Sequence, residues 1–139
     1  HQRSLETLDV GGNRLTDLTF LVSLPALKEF YAGDNRVSDL AGLNENKQIR
    51  SLDLSHNLVT DMDSLVDFSQ LRWLHLSGNS IADGSPLKGM WDLQYLYIEG
   101  NRFCPMDPDV LDLQQSHENS AGKTIQLTIR GLDDQRCRI

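Results

Sequence analysis

Apolar residues return along this chain in one frame, repeated five times at a constant step of 22 residues. The copies read Leu5-x-x-Leu8-x-Val10-x-x-Asn13-x-Leu15, Leu27-x-x-Phe30-x-Ala32-x-x-Asn35-x-Val37 and Ile49-x-x-Leu52-x-Leu54-x-x-Asn57-x-Val59. Two more follow as Leu71-x-x-Leu74-x-Leu76-x-x-Asn79-x-Ile81 and Leu93-x-x-Leu96-x-Ile98-x-x-Asn101-x-Phe103. A fixed period of this length predicts a solenoid, because each copy buries its apolar face only by stacking on its neighbours. Within a copy, Leu52 and Leu54 alternate with Ser51, Asp53 and Ser55, which puts the leucines on one face of a short strand and the polar residues on the other. One face of the stacked strands is core and the other is free.

The polar positions of the frame also have structural work. Asn13, Asn35, Asn57, Asn79 and Asn101 fall where the chain leaves the strand, and an amide there can satisfy backbone groups that the turn strips of partners. Four residues later come Asp17, Asp39, Asp61 and Asp83. A carboxylate at that point can accept the first free amides of a short helical or 3₁₀ return segment. Apolar residues then recur at Leu18, Leu21 and Leu24, at Leu40 and Leu43, at Met62, Leu65 and Phe68, and at Leu87 and Met90. Spacing of three suits a tight turn with one stripe on the core. Asn46 replaces the apolar residue in the second copy, inside the polar run 44–48, and predicts a looser loop there.

The frame LxxLxLxxNxL, matched five times over residues 5–103, resembles the leucine-rich repeat family. That resemblance implies an α/β solenoid: a horseshoe segment with a parallel concave sheet and short 3₁₀ or helical convex turns. The 22-residue step, the N-x-[LVI]-[TS]-D signature and the pair Pro86-Leu87 are similar to the internalin-like surface proteins of bacteria. The cytosolic leucine-rich repeat regulator of protein phosphatase 1 class is the alternative resemblance. Both imply protein binding through the concave strands.

The repeats occupy residues 1–103 and residues 104–139 read as a C-terminal cap. Asp107-Pro108-Asp109 suggests an N-cap with proline at the first helical position, opening a helix to about Gln115. Lys123 to Arg130 alternates as Ile125, Leu127 and Ile129 against Thr124, Gln126 and Thr128, which predicts a sixth strand out of step with the others. At the other end, Leu5, Leu8 and Val10 have only His1 to Ser4 before them, so an N-terminal cap or a longer natural chain is expected. Phe103-Cys104-Pro105 resembles the start of the cysteine-bearing caps of extracellular leucine-rich repeat proteins. The resemblance implies a Cys104–Cys137 disulfide and a secreted or cell-surface setting. Such caps usually carry four cysteines and this chain has two. Two free thiols in a cytoplasmic protein remain the other reading.

Outward strand positions form a grid of four columns. The first reads Thr7, Glu29, Ser51, Trp73, Tyr95 and the second Asp9, Tyr31, Asp53, His75, Tyr97. The third and fourth read Gly11, Gly33, Ser55, Ser77, Glu99 and Gly12, Asp34, His56, Gly78, Gly100. All three tyrosines and one of the two tryptophans stand on it, although aromatics make up only 6% of the sequence. Large rings on an exposed sheet bury much area at little entropic cost, which suits recognition. Asp9, Glu29, Asp34, Asp53 and Glu99 lie on the grid, and no lysine or arginine does. With a formal charge of −7 the chain repels nucleic acid and anionic membranes. No stretch is long or apolar enough to cross a bilayer.

The candidate partner-binding residues are therefore Trp73, Tyr95, Tyr97, Tyr31 and His75, ringed by Asp9, Glu29, Asp53 and Glu99. The partner expected is a protein with a basic or mixed patch; a carbohydrate also suits rings beside carboxylates, and an idle structural repeat unit is the remaining alternative. Asp53, His75 and the nearby serines contain the ingredients of a catalytic triad, but a shallow wet face supplies no oxyanion hole. Neither an enzyme, a cofactor nor a metal site is expected.

Overall fold

The computed structural model describes residues 4–103 and the strand Thr128–Arg130. Strands of three residues recur once per copy: β1 (Thr7–Asp9), β2 (Glu29–Tyr31), β3 (Ser51–Asp53), β4 (Trp73–His75) and β5 (Tyr95–Tyr97). β6 (Thr128–Arg130) follows after a longer step, and all six form one parallel sheet in chain order. The register aligns Leu8, Phe30, Leu52, Leu74, Leu96 and Ile129 in a single row. Crossovers on the far side are 3₁₀ turns at Thr19–Ser23, Ala41–Leu43, Asp63–Leu65 and Ser85–Leu87. Residues three apart eclipse in that geometry, so the apolar triplets present one stripe to the core.

Between sheet and turns lies a continuous apolar core. Leu27, Phe30, Leu52, Leu54, Leu65, Phe68, Leu74, Leu76, Leu96 and Phe103 are fully buried, each contributing roughly 1.5–3 kcal/mol relative to exposure. Leu5, Leu8, Val10 and Leu15 of the first coil are only partly buried against it. Coils approach closely on the convex side as well. A Cβ at Gly42 would collide with the carbonyl of Leu18 in the preceding turn.

The asparagines join the coils. Asn57 Nδ2 shares its hydrogens among the carbonyls of Leu54 (3.0 Å) and Ser55 (3.1 Å) in its own coil and Ala32 (3.0 Å) in the one before. Its Oδ1 accepts from the Val37 amide at 2.9 Å. Asn35, Asn79 and Asn101 repeat this pattern in their own coils. Asn13 reaches only Val10 and Gly11 of its own coil and is exposed. The residue before each asparagine is left-handed: Gly12, Asp34, His56, Gly78 and Gly100 have φ between 53° and 72°. Two of the five accept that conformation without being glycine, at some steric cost.

Asp17, Asp39, Asp61 and Asp83 each accept the amide two residues on, at 2.7–3.1 Å. That amide belongs to the first residue of each 3₁₀ turn, so the carboxylate sits one position before the formal cap. Those bonds hold the Asp17 and Asp83 carboxyls below their ordinary pKa: the side-chain bond with Thr19 is the largest cause at Asp17, and the backbone bond with Ser85 at Asp83. The neighbouring charge of Asp61 pushes Asp63 up.

The looser loop expected around Asn46 is not found. The second copy forms the same 3₁₀ turn as its neighbours, and Asn46 is 1% exposed. Its Nδ2 donates to the Leu24 carbonyl at 3.0 Å, while Gln48 Nε2 donates to the carbonyls of Pro25 (2.7 Å) and Leu27 (2.9 Å). Polar side chains here bond to the previous coil instead of leaving the turn. Asn46 Oδ1 is buried without a partner.

Of the expected C-terminal cap, β6 falls within the expected strand and pairs with β5 after a step of 33 residues. The expected helix, Cys104, Cys137 and residues 123–127 lie outside the described residues.

Replacing Asn57 by alanine orphans buried backbone groups in two coils, and a loss of about 3 kcal/mol in urea unfolding is expected. Asn13→Ala, at the exposed end of the ladder, should cost less than about 1 kcal/mol. Asn46→Leu should raise the urea midpoint, by about 1 kcal/mol of stability, because it removes an orphaned oxygen while Leu24 O keeps the Leu27 amide at 3.3 Å.

Candidate functional site

In each three-residue strand the central side chain is core and the two flanking ones face out, which sets ten positions of β1–β5 on the free face. Rings meet there. Trp73 packs edge-on against Tyr31 (centroids 6.2 Å apart, planes at 69°) and His75 (5.6 Å, 84°), and Tyr97 lies 5.9 Å from it. His75 and Tyr97 are 5.1 Å apart, which closes the cluster. Tyr31 and Trp73 belong to strands separated by β3, roughly 9.6 Å across the sheet at the usual strand spacing. Their rings lean together over β3, whose outward residues are the small Ser51 and Asp53. Tyr95 takes no part in these ring contacts and is 44% exposed.

Carboxylates surround the rings. Glu29 accepts hydrogen bonds from Thr7 Oγ1 (3.3 Å) and the Tyr31 hydroxyl (3.4 Å). Burial first, and then the charge of Glu29, push the Tyr31 phenol above its ordinary pKa. Asp9 and Asp53 each accept the amide two residues on, from Gly11 and Ser55, at 2.9 Å. His75 Nδ1 lies 3.8 Å from Asp53 Oδ1, beyond a hydrogen bond and within ion-pair range when the ring is protonated. Asp9, Asp34 and Asp53, with Tyr31 and the glycines at 11, 12 and 33, line an open depression of about 500 Å³ at the C-terminal ends of β1–β3.

One expectation about the grid needs correction. Its third and fourth columns are turn, since the strands end at Asp9, Tyr31, Asp53, His75 and Tyr97. Gly33, Ser55 and Ser77 are buried there, and Glu99 stands in the turn as well, half-buried, with its carbonyl accepting the Gly78 amide at 2.7 Å. β6 adds a sixth backbone row, with Arg130 in register with Tyr97.

A further column borders the first and was missed: Glu6, Lys28, Arg50, Arg72 and Gln94. Simple alternation would send these residues toward the core, but the ladder begins with a doubled contact. The Arg50 carbonyl accepts both the Arg72 amide (2.8 Å) and the Trp73 amide (3.1 Å), and Glu6, Lys28 and Arg72 do the same one rung apart. Such a doubled contact, like a bulge, lets two successive residues stand on the solvent side. Arg72 is exposed and Trp73 half-exposed between the buried Leu71 and Leu74. The signal was the spacing of three in Leu71-x-x-Leu74, which alternation by two cannot produce. Lys28 Nζ pairs with Glu6 at 3.1 Å, while Arg50 and Arg72 have no ion pair among the described residues.

Chemically, this face can stack, donate and accept hydrogen bonds, and offer charge of both signs. Among the described residues, no three of histidine, cysteine, aspartate and glutamate converge where a metal ion could sit.

Two leucine-rich repeat family models match, one over residues 3–45 and one over 36–81, together more than half of the chain. No curated protein sequence matches significantly. Among solved structures, an internalin of Listeria monocytogenes superposes with a TM-score of 0.74 at 24% identity, covering 90% of this chain and 34% of the internalin. A leucine-rich repeat protein of Leptospira interrogans gives 0.75 at 21% identity, covering 91% and 31%. Internalin C2 of L. monocytogenes gives 0.53 at 28% identity, covering 70% and 53%. The chain thus spans about a third of the length of the first two of these proteins. Repeats of this family generally mediate protein–protein interaction. With its 22-residue frame, its asparagine ladder and these matches, the chain is a leucine-rich repeat protein whose solenoid is internalin-like.

Proposed function

We propose that this chain is a non-enzymatic module that binds a protein partner on the concave strand face. The observation that carries the reading is the ring cluster of Tyr31, Trp73, His75 and Tyr97 on solvent-facing strand positions. Rings packed edge to face are held in place before a partner arrives, so little side-chain entropy is lost on binding. Glu29, Asp9 and Asp53 on the same face suit a partner with a basic or mixed patch, and Tyr95, being exposed beside the cluster, extends its reach. A secreted or cell-surface setting completes the proposal and rests on the cysteine pair Cys104 and Cys137 in the sequence.

A protein captured on the immobilised wild-type chain should lose more than ~2 kcal/mol of affinity for Trp73→Ala or Tyr97→Ala in calorimetry. Melting temperatures of both variants should stay near wild type, and unchanged affinity in both sinks the reading. For the setting, the native-source protein is alkylated under denaturing, non-reducing conditions and weighed intact. Neither cysteine should take up reagent; uptake by both would point to the cytoplasm instead.

A further inference from the structure

Resting on the concave-face reading, we infer that Arg50 and Arg72 form an anion-recognising rail, and that the partner segment carries an acidic residue followed or preceded, three or four residues away, by a basic one. Three observations converge on it. Arg50 and Arg72 occupy adjacent rungs of the ladder, exposed and without an ion pair among the described residues. Rungs are about 4.8 Å apart and like charges side by side are destabilising, so two neighbouring guanidiniums have a cost that the described fold does not offset. Lys28, the third cation of the column, is already neutralised by Glu6.

The second observation is position. Arg72 directly precedes Trp73, the hub of the ring cluster, and Arg50 precedes Ser51, the small residue over which the rings lean. An anion held by the two guanidiniums therefore lies at the edge of the aromatic platform. Guanidinium forks match carboxylate geometry with paired hydrogen bonds, which gives such a contact direction as well as charge.

The third is the other end of β3, which Arg50 precedes, and of its neighbours β2 and β1. Asp9, Asp34 and Asp53 line the depression there, with Tyr31 between. Arg50 and Arg72 thus stand one residue before the central strands and Trp73 at the first strand position, while Asp53 and Asp9 stand at the last, level with Tyr31, His75 and Tyr97, with Asp34 beyond. Three strand residues cover roughly 10 Å at about 3.3 Å each. An extended segment laid along the strands meets the arginines, the rings and the carboxylates when its acidic and basic side chains are three or four residues apart with an apolar or aromatic residue between. This arrangement disfavours a polyanion, whose further charges would fall on Glu29, Asp53 and Asp9.

The test is a selection of random peptides displayed on phage against the immobilised chain, with R50E/R72E and R50Q/R72Q as comparison proteins and W73A as a third. Both arginine pairs are exposed, and all variants are checked for wild-type melting before use. Peptides enriched on the wild type should carry aspartate or glutamate three or four residues from lysine or arginine. They should bind R50E/R72E and R50Q/R72Q at least tenfold more weakly, and W73A more weakly as well. Selection on R50E/R72E should return peptides lacking that acidic residue. Peptides that need Trp73 but bind both arginine variants like wild type overturn the rail and leave the concave-face reading standing. Peptides indifferent to Trp73 and to the arginines overturn both.

Discussion

The structure depends on one repeated interaction, the asparagine amide that binds backbone groups of two successive coils at once. A strand of three residues carries too few ladder bonds to hold its neighbour by itself, and the sharp turn after it strands carbonyls and an amide away from water. Asn35, Asn57, Asn79 and Asn101 satisfy those groups from one side chain each, donating to both coils and accepting from the coil before. Leaving such groups unpaired in a dry interior is costly. The ladder therefore fixes rotation and rise from coil to coil, and with them the register of the sheet.

Register in turn makes the free face. Because every coil repeats the last, side chains 22 residues apart stand in columns, and the face is specified by what each coil puts at a few outward positions. The ring cluster shows that a column is more than its nearest neighbours. Small residues on β3 leave room into which Tyr31 and Trp73 lean, so rings two coils apart touch. The scaffold supplies the lattice of positions, and the sizes of neighbouring side chains decide which of them meet.

Charge follows the same logic. Carboxylates at Asp9 and Asp53 cap the turn behind their own strands while facing the open depression, so they serve the fold and remain available. The doubled amide contact at the start of each rung turns a second residue to solvent and brings Lys28, Arg50 and Arg72 to the border of the rings. A face that alternation portrays as purely acidic is bordered by cations on the residues just before its strands, with carboxylates within and beyond them.

The five-fold frame determined the architecture by itself. A period of 22 residues with fixed apolar positions has one way to bury its faces, so strands, convex turns, core residues such as Leu52 and Phe68, and the place of each asparagine all follow from pattern. Local polarity was a poorer guide: Asn46 reads as a loop residue, yet a carbonyl of the previous coil lies within reach and holds it in the core. The outward columns at Trp73, His75, Tyr95 and Tyr97 were legible because alternation holds inside the strand. It fails at the strand ends, where one carbonyl accepting two amides exposes Arg50 and Arg72, and where Ser55 and Ser77, already in the turn, are buried. Which rings touch, and which charges border them, depended on bonds between coils, and those exist only once the coils are stacked.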